Sequence, residues 1–174
     1  MRKVERGADR MRKVERGADR PMKLQLFASN PKKGVYPCYE NQFKIDISDT
    51  SAAENMVTIA DCETFSVAFD NGIEEWHSFE EEGWVRRLMT SKSITMSVTA
   101  KRNVGDEGND FVADKAWKNG RNAEANFYWV FPDGITIKFK NAIISVSNAG
   151  SGDSTAAAPL EFEVQSNGKP EIVK

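Results

Sequence analysis

Apolar and polar residues alternate with a period of two along much of the chain from Val35 onward. Such alternation is typical of β-strands that are buried on one face. The alternating runs are residues 43–47, 65–69, 94–98, 135–139 and 160–164. Residues 127–131 are apolar without alternation, which indicates a central strand covered on both faces. Because Pro132-Asp133-Gly134 follows directly, we expect a hairpin into Ile135.

One segment, residues 109–119, has the period of an α-helix instead. A single stripe collects its apolar residues Val112, Ala113, Ala116 and Trp117. Gly120 is the expected C-terminal stop. The predicted fold is therefore mainly β: a β-sandwich or barrel of roughly eight strands with one flanking α-helix. Residues 72–91 and 148–159 lack clear strand periodicity and are predicted to be loops.

The first twenty residues are a duplication, in which the decapeptide MRKVERGADR fills residues 1–10 and again 11–20. The two copies hold eight basic and four acidic residues, a charge of +4, so a chain of net charge −2 has −6 in the remainder. We interpret residues 1–21 as an artificial or upstream-translated leader before a natural start at Met22. A basic arm for DNA is the alternative, but acidic residues dilute every cluster. Residues 22–34 are then an N-terminal arm, and residues 35–174 form one domain.

Few residues suggest catalysis. His77 is the one histidine and lies in a charged segment, which favours a surface residue over a general base or metal ligand. Cys38 and Cys62 lack a Cys-x-x-Cys spacing, and we interpret them as free, buried thiols made in a reducing cytoplasm. We predict no catalytic, cofactor-binding or metal site, and no enzyme. The apolar runs are too short for a membrane-spanning helix.

Two acidic groups need a separate interpretation. Residues 106–110, DEGND, place oxygen ligands together, but glycine at the third position does not fit an EF-hand loop. A turn and helix N-cap explain the same residues. Residues 160–165 alternate an apolar face with Glu161 and Glu163, about 7 Å apart. From composition alone this is a solvated face at a sheet edge.

The serial order of these segments resembles that of tailed-bacteriophage major tail proteins, also called tail tube proteins. The resemblance covers residues 35–173. It rests on EEWHSFEEEGWVRRLMTSKS, ITMSVTAKRNVGDEGND, the helix ending in AWKNG, the FPDG hairpin and the closing PLEFEVQSNGKP. The sequence MKLQLFA at Met22 also resembles the opening of phage structural proteins from Gram-positive hosts.

The resemblance implies a β-sandwich that assembles into hexameric rings, in which each subunit contributes strands to a continuous inner β-barrel. Stacked rings form the tail tube, through which the genome is ejected. The implied partners are further copies of the chain, the tape-measure, tail terminator and distal tail proteins, and DNA that passes without specific binding. The implied location is the virion, after synthesis and assembly in the bacterial cytoplasm. Cofactors and membranes are not expected.

An acidic lumen would keep DNA mobile, whereas a basic one would hold its phosphates. We therefore expect Glu161, Glu163 and Gln165 to face the lumen, and Asp46 and Asp70 follow by the same alternation. The long loop is expected to make ring-to-ring contacts. Its candidate residues are Trp76, Phe79, Trp84, Arg86, Arg87 and Leu88. Trp84 could instead cover the domain's own core.

Two other functions fit the same pattern. One is a tube protein of a contractile phage-like particle, such as a bacteriocin or secretion system. The other is a monomeric β-sandwich binding module that uses the aromatic loop as a ligand platform.

Overall fold

The computed structural model describes residues 34–48 and 55–174. The predicted leader, residues 1–21, and the arm up to residue 33 lie outside these described residues.

The described residues form eight strands and one α-helix, as the sequence predicts. The strands are β1 (Gln42–Asp46), β2 (Met56–Thr58), β3 (Cys62–His77), β4 (Val85–Lys101), β5 (Glu124–Val130), β6 (Thr136–Ala149), β7 (Pro159–Gln165) and β8 (Glu171–Val173). The helix α1 spans Glu107–Asp114. Short 3₁₀ turns lie at Cys38–Glu40, Phe79–Glu81, Lys115–Trp117 and Gly120–Ala123.

All strands join one antiparallel sheet in the order β2-β1-β5-β6-β7-β4-β3, and β8 pairs with β6. The sheet curls so that side chains of β3, at one end, pack face to face against side chains of β1 and β5, near the other end. Phe65 of β3 packs edge-on against Phe43 of β1, with ring centroids 5.0 Å apart, and against Trp129 of β5 at 5.7 Å. β6 joins the two halves of the sheet, β2-β1-β5 and β7-β4-β3, because its first part pairs with β5 and its last part pairs with β7.

The core lies inside this curl. Its largest fully buried side chains come from several strands and α1: Ile45, Met96, Val98, Val112, Phe127, Phe139, Ile144, Leu160, Phe162 and Val164. Burial of each large apolar side chain contributes roughly 1.5–3 kcal/mol relative to exposure. The alternation along the chain therefore reports which face of each strand meets this core.

The predicted β5–β6 hairpin is confirmed. Gly134 donates its backbone N–H to the carbonyl of Phe131 at 3.0 Å, and Phe131 donates to Ile135 at 2.8 Å. Gly134 adopts φ +87°, where a residue with a Cβ is strained. Adjacent residues Phe127 and Tyr128 are both buried, so β5 is covered on both faces as predicted.

The predicted loop at residues 72–91 is wrong. β3 and β4 continue through this segment as one long hairpin, in which only residues 78–84 lie outside the strands. Both faces of its outer part are exposed, so burial does not impose the apolar and polar alternation that marks the other strands. The second predicted loop, 148–159, is shortened to 150–158 by the ends of β6 and β7.

The predicted helix is shorter than its stripe suggests. After Asp114 the chain tightens into the 3₁₀ turn Lys115–Trp117, where Lys118 donates to the carbonyl of Lys115 at 3.1 Å. A 3₁₀ turn has three residues per turn, so Ala116 and Trp117 rotate off the buried stripe. Both are exposed, Trp117 by 83%.

The two cysteines are free thiols, as predicted. The expectation that both are buried is wrong for Cys38, which lies exposed in the 3₁₀ turn Cys38–Glu40. Cys62 is half-buried, and burial, with the nearby carboxylates of Asp61 and Asp106, raises its pKa to about 12. Among the described residues, no cluster of His, Cys, Asp and Glu is suited to a metal ion. No described helix is long and apolar enough to cross a membrane.

Candidate assembly surfaces

β7 lies between β4 and β6, so the interpretation of Glu161 and Glu163 as an edge of the sheet is wrong. Leu160, Phe162 and Val164 are buried in the core. Glu161 and Glu163 point to the opposite face and are half-buried between neighbouring strands, while Gln165 is exposed. The sequence indicated the correct face of the strand but not its position in the sheet, which depends on pairing with distant residues.

Short hydroxyl side chains surround the two carboxylates. Glu163 is paired with Ser97 on β4 and Ser145 on β6, and Ser97 donates to Glu163 Oε1 at 3.4 Å. Gln165 donates to Glu163 Oε2 at 3.3 Å. By strand register the surface continues onto β3. We name it the hydroxyl face, which comprises Thr64, Ser66, Thr95, Ser97, Thr99, Ser145, Glu161, Glu163 and Gln165, together with the apolar Ala68 and Ile143.

The hydroxyl face is acidic. Lys101, the nearest cation along β4, lies past its last rung and is ion-paired with Glu63 at 3.2 Å. Asp70 lies on the same side of β3, two residues beyond Ala68, and is exposed. The structure thus brings together Glu161, Glu163 and Gln165, the three residues for which the sequence predicts a common surface.

Asp46 does not belong to this surface, because it is buried. Its carboxylate accepts hydrogen bonds from the backbone and hydroxyl of Ser48, the backbone of Asn55 and the amide of Asn126. Burial alone would raise the pKa of Asp46, but these hydrogen bonds outweigh it and lower the pKa. Asp46 therefore has a structural role at the end of β1, and its selection by alternation is a wrong expectation.

The second surface is the outer hairpin, residues 70–92, in which β3 and β4 pair mainly with each other beyond the body of the sheet. Register places Ile73 opposite Met89 on the face that continues from the core. Trp76 lies opposite Arg86 on the other face, beside Leu88. Both faces expose apolar side chains, which is unusual for a surface that contacts only water.

The six predicted stacking residues separate into three groups. Trp76, Arg86 and Leu88 share one face, with the Arg86 guanidinium 5.7 Å from the Trp76 ring centroid. Arg87 is on the opposite face and is ion-paired with Glu75. Phe79 and Trp84 flank the tip, with Phe79 fully exposed and Trp84 exposed by 78%. Trp84 does not cover the domain's own core.

Sequence reasoning missed the apolar face of the hairpin that Ile73, Met89 and Phe69 form, each about half exposed or more. The signal was the alternation at 65, 67 and 69, which resumes at 73 after Asn71. A β-bulge at this point hides the matching pattern on β4, where Thr90 is an extra residue. A Cβ at Gly72 would lie 2.1 Å from Ser91 Oγ, so a larger residue there requires this hydroxyl to rotate away.

Solved structures match nearly all of the described fold, and three of them show what these matches are. A chain from the tail of an empty GTA (gene transfer agent) particle, solved with C6 symmetry, has a TM-score of 0.61 and 18% identity, and the match covers 80% of this chain and 100% of that one. The protein therefore has the same fold as this component of the GTA tail. A chain of the PVC sheath–tube complex, an extracellular contractile injection system, has a TM-score of 0.52, 12% identity, and coverage of 79% and 90%.

The third match is the tube-terminating cap of the anti-feeding prophage, with a TM-score of 0.50, 11% identity, and coverage of 85% and 98%. No protein-family model and no curated protein matches the sequence. These three neighbours come from a particle tail, a sheath–tube complex and a tube cap. At these identities the likeness shows a shared fold, and this fold spans almost the whole length of each neighbour.

Proposed function

We propose that this chain is the major tail protein of a phage-like particle, and that its hexameric rings stack into the tube through which the genome is ejected. The observation that carries the proposal is the fold match, over 80% of this chain and 100% of the other, to a component of a tail with C6 symmetry. In this role the chain is a structural protein of the virion, assembled in the host cytoplasm with tape-measure, terminator and distal tail proteins. It needs neither catalytic residues nor a cofactor.

The ends of the sheet support a ring. Among the described strands, β2 pairs with β1 and β3 pairs with β4, so each leaves one edge of backbone donors and acceptors open. Open edges of this kind are templates for pairing with another chain. A heterologous contact repeated around an axis closes into a ring, which removes the open edges. Ring closure therefore gives a use to a feature that is a liability in a monomer.

The hydroxyl face supports a conduit. DNA has one negative charge per about 1.7 Å of duplex, so a wall with many cations would bind phosphates and hold the genome. A wall of short hydroxyls with Glu161 and Glu163 offers hydrogen bonding to water and repels phosphate. We propose that this face lines the lumen, with Gln165 at the same surface.

The outer hairpin supports stacking. Trp76, Trp84 and Arg86 are of the residue types that dominate protein interfaces. Their exposure in the isolated chain is explained if a neighbouring ring covers them. We propose that the six residues predicted from the sequence, with Ile73 and Met89, form the ring-to-ring contact.

Negative-stain microscopy of concentrated full-length protein, with sizing of the same sample, tests the proposal. Hollow tubes built from sixfold rings are expected. A monomer that forms no rings or tubes at any concentration, and is not incorporated when preformed tails are added as seeds, would contradict it.

The lumen assignment has its own test. Glu163→Lys tubes should retain duplex DNA at low salt, and the retention should fall steeply as salt rises, because counterion release governs such binding. Asp153→Lys makes the same change of charge in the exposed loop 150–158 and should not retain DNA. If the two variants behave alike, the hydroxyl face does not line the lumen.

A second candidate function is the tube of a contractile particle, which the matches to the PVC sheath–tube complex and the anti-feeding prophage cap favour. Such a tube needs a sheath around it. Co-purification of a sheath protein with assembled tubes from the native particle would select this function, and naked tubes would select the first.

A further inference from the structure

The hairpin ends in an acidic and aromatic surface, which we name the acidic tip, residues 79–84. Glu80, Glu81 and Glu82 are exposed there, between Phe79 and Trp84. The whole end of the hairpin, residues 74–87, holds five glutamates and two arginines, a net charge of −3.

A second surface has the complementary character. Residues 114–121, which we name the basic segment, hold Lys115, Lys118, Arg121 and one aspartate, a net charge of +2. Lys118 and Arg121 are exposed, and Trp117, which directly precedes Lys118 in the chain, has an exposed ring. Lys118 forms a long, exposed ion pair with Asp114, at 3.4 Å. The basic segment thus has one exposed aromatic ring and two cations, and the acidic tip has two exposed aromatic rings and three carboxylates.

The basic segment is held rigidly. Lys115 donates to the carbonyls of Asn122 and Glu124, at 2.7 and 3.0 Å, and so ties the segment to the start of β5. Burial lowers the pKa of this ammonium group. The preceding helix is fixed by Asn109, which is fully buried and hydrogen-bonded to the ends of β4 and of the β2–β3 turn. A preorganised surface loses little entropy when it binds.

The tip does not reach the basic segment of its own chain. Strand register aligns Thr95, Gln165, Ile143 and Glu124 on one rung of the sheet, and Glu124 directly follows the turn that ends the basic segment. Ten residues of β4 separate Thr95 from Val85, where the hairpin tip begins, a distance of about 33 Å along the strand. A contact between the two surfaces therefore requires two copies of the chain.

We propose that the acidic tip of one copy docks on the basic segment of a second copy. The proposal rests on the proposed function, in which this contact joins successive rings, and goes beyond it by naming the receiving surface. Exposed ion pairs contribute little by themselves. Here burial of Trp84 and Trp117 against the partner copy removes water from the charges, and the charge pattern fixes the register between copies.

Zero-length carbodiimide cross-linking tests the contact directly. Full-length chains with ¹⁵N and with natural isotopes are mixed at assembly concentration, and cross-linked peptides are identified by mass. Heavy-to-light cross-links that join residues 80–82 to Lys118 are expected. Tip cross-links that go only to other lysines, such as Lys169 or Lys174, or no tip cross-links between chains, would overturn the proposal.

Charge exchange provides the second test. Changing Glu80, Glu81 and Glu82 to lysine, or Lys118 and Arg121 to glutamate, should each raise the critical concentration for assembly at least tenfold. A one-to-one mixture of these two variants should recover most of the loss, because each tip then meets an opposite charge. The control Lys169→Glu with Lys174→Glu makes the same charge change as the variant of the basic segment, at another place, and should assemble like the wild type.

The outcomes separate this contact from the tube proposal. Wild-type tubes without cross-links from the tip to Lys118, or charge variants that assemble normally, reject the contact and leave the tube intact. Cross-links between chains in a sample without rings or tubes support the contact and reject the tube. Circular dichroism melting of each variant separates misfolding from loss of the contact.

Discussion

Replacement of Trp84 by alanine should weaken assembly and leave the fold unchanged. Trp84 flanks the hairpin tip with 78% of its surface exposed, so the core does not depend on it. In the proposed tube, a neighbouring ring covers this side chain. The same substitution thus separates the energy of assembly from the energy of folding.

The magnitude follows from the exposed area. Aromatic side chains bury about 150–250 Å², so a tryptophan that is 78% exposed has roughly 120–195 Å² left to bury on assembly. At about 25 cal/mol per Å² this area corresponds to about 3–5 kcal/mol as an upper limit. Partial coverage and loss of rotamer freedom reduce it to about 2 kcal/mol, the level of an interface hot spot. A loss of this size raises the critical concentration about 30-fold.

The assay is pelleting of tubes over a concentration series, with microscopy of the pellets. Val104→Ala is a matched control, since Val104 is also exposed, by 81%, but lies outside the hairpin. The free energy of unfolding of both variants should lie within about 0.5 kcal/mol of the wild-type value. If Trp84→Ala forms tubes at the wild-type critical concentration, Trp84 is not an interface anchor and the stacking role of the tip is refuted.

Three further predictions concern the folded chain. Asn109→Ala removes four hydrogen bonds of a fully buried amide and should lower the free energy of unfolding, measured in urea, by about 3–4 kcal/mol. The control Asn119→Ala changes an exposed residue and should alter this free energy by less than about 0.5 kcal/mol. Equal effects of the two substitutions would contradict the structural role of Asn109. At pH 8 a thiol reagent should label one cysteine of the native chain, the exposed Cys38, because the pKa of Cys62 is about 12, and rapid labelling of both would refute the burial argument. Folding lowers the pKa of Asp46, so the carboxylate stabilises the fold above its unfolded pKa of 3.8, and this stabilisation is lost as pH falls through the folded pKa. Asp46→Asn should therefore lower the free energy of unfolding more at pH 6 than at pH 2. An equal loss of free energy at both pH values would contradict this.

Patterns that burial creates were readable in the sequence. The strict alternation of β7 reports one face against the core, and the turn residues before Ile135 specify a hairpin without any tertiary information. The helix N-cap could be predicted because an aspartate before a helix commonly caps it. In the structure Asp106 accepts a hydrogen bond from the backbone N–H of Asn109, three residues later, at 2.8 Å. In each case neighbouring residues in the chain contain the whole signal.

Features that depend on distant partners were not readable. The place of β7 within the sheet depends on pairing with β4 and β6, which its own residues do not encode. The outer hairpin has no buried face in the isolated chain. Its strands are therefore stabilised by pairs between residues of β3 and β4, such as Glu75 with Arg87, and neither segment shows these pairs by itself. For the candidate surfaces, the sequence indicated the two glutamates and the glutamine of the hydroxyl face and several residues of the outer hairpin. It did not indicate the serine and threonine side chains around the glutamates, or the apolar face at Ile73 and Met89.

The continuity of β4 has a mechanical consequence. One strand runs from the hairpin tip through the core to Lys101, two residues before the turn that leads into α1. A pull at the tip loads the ladder of backbone hydrogen bonds between β4 and β7, from Thr95 to Lys101, in shear, so several bonds share the load. If each copy is held at its tip and at its basic segment, tension along a stack of rings passes through this strand from one contact to the next. The subunit would then act as a stiff strut rather than as a hinge.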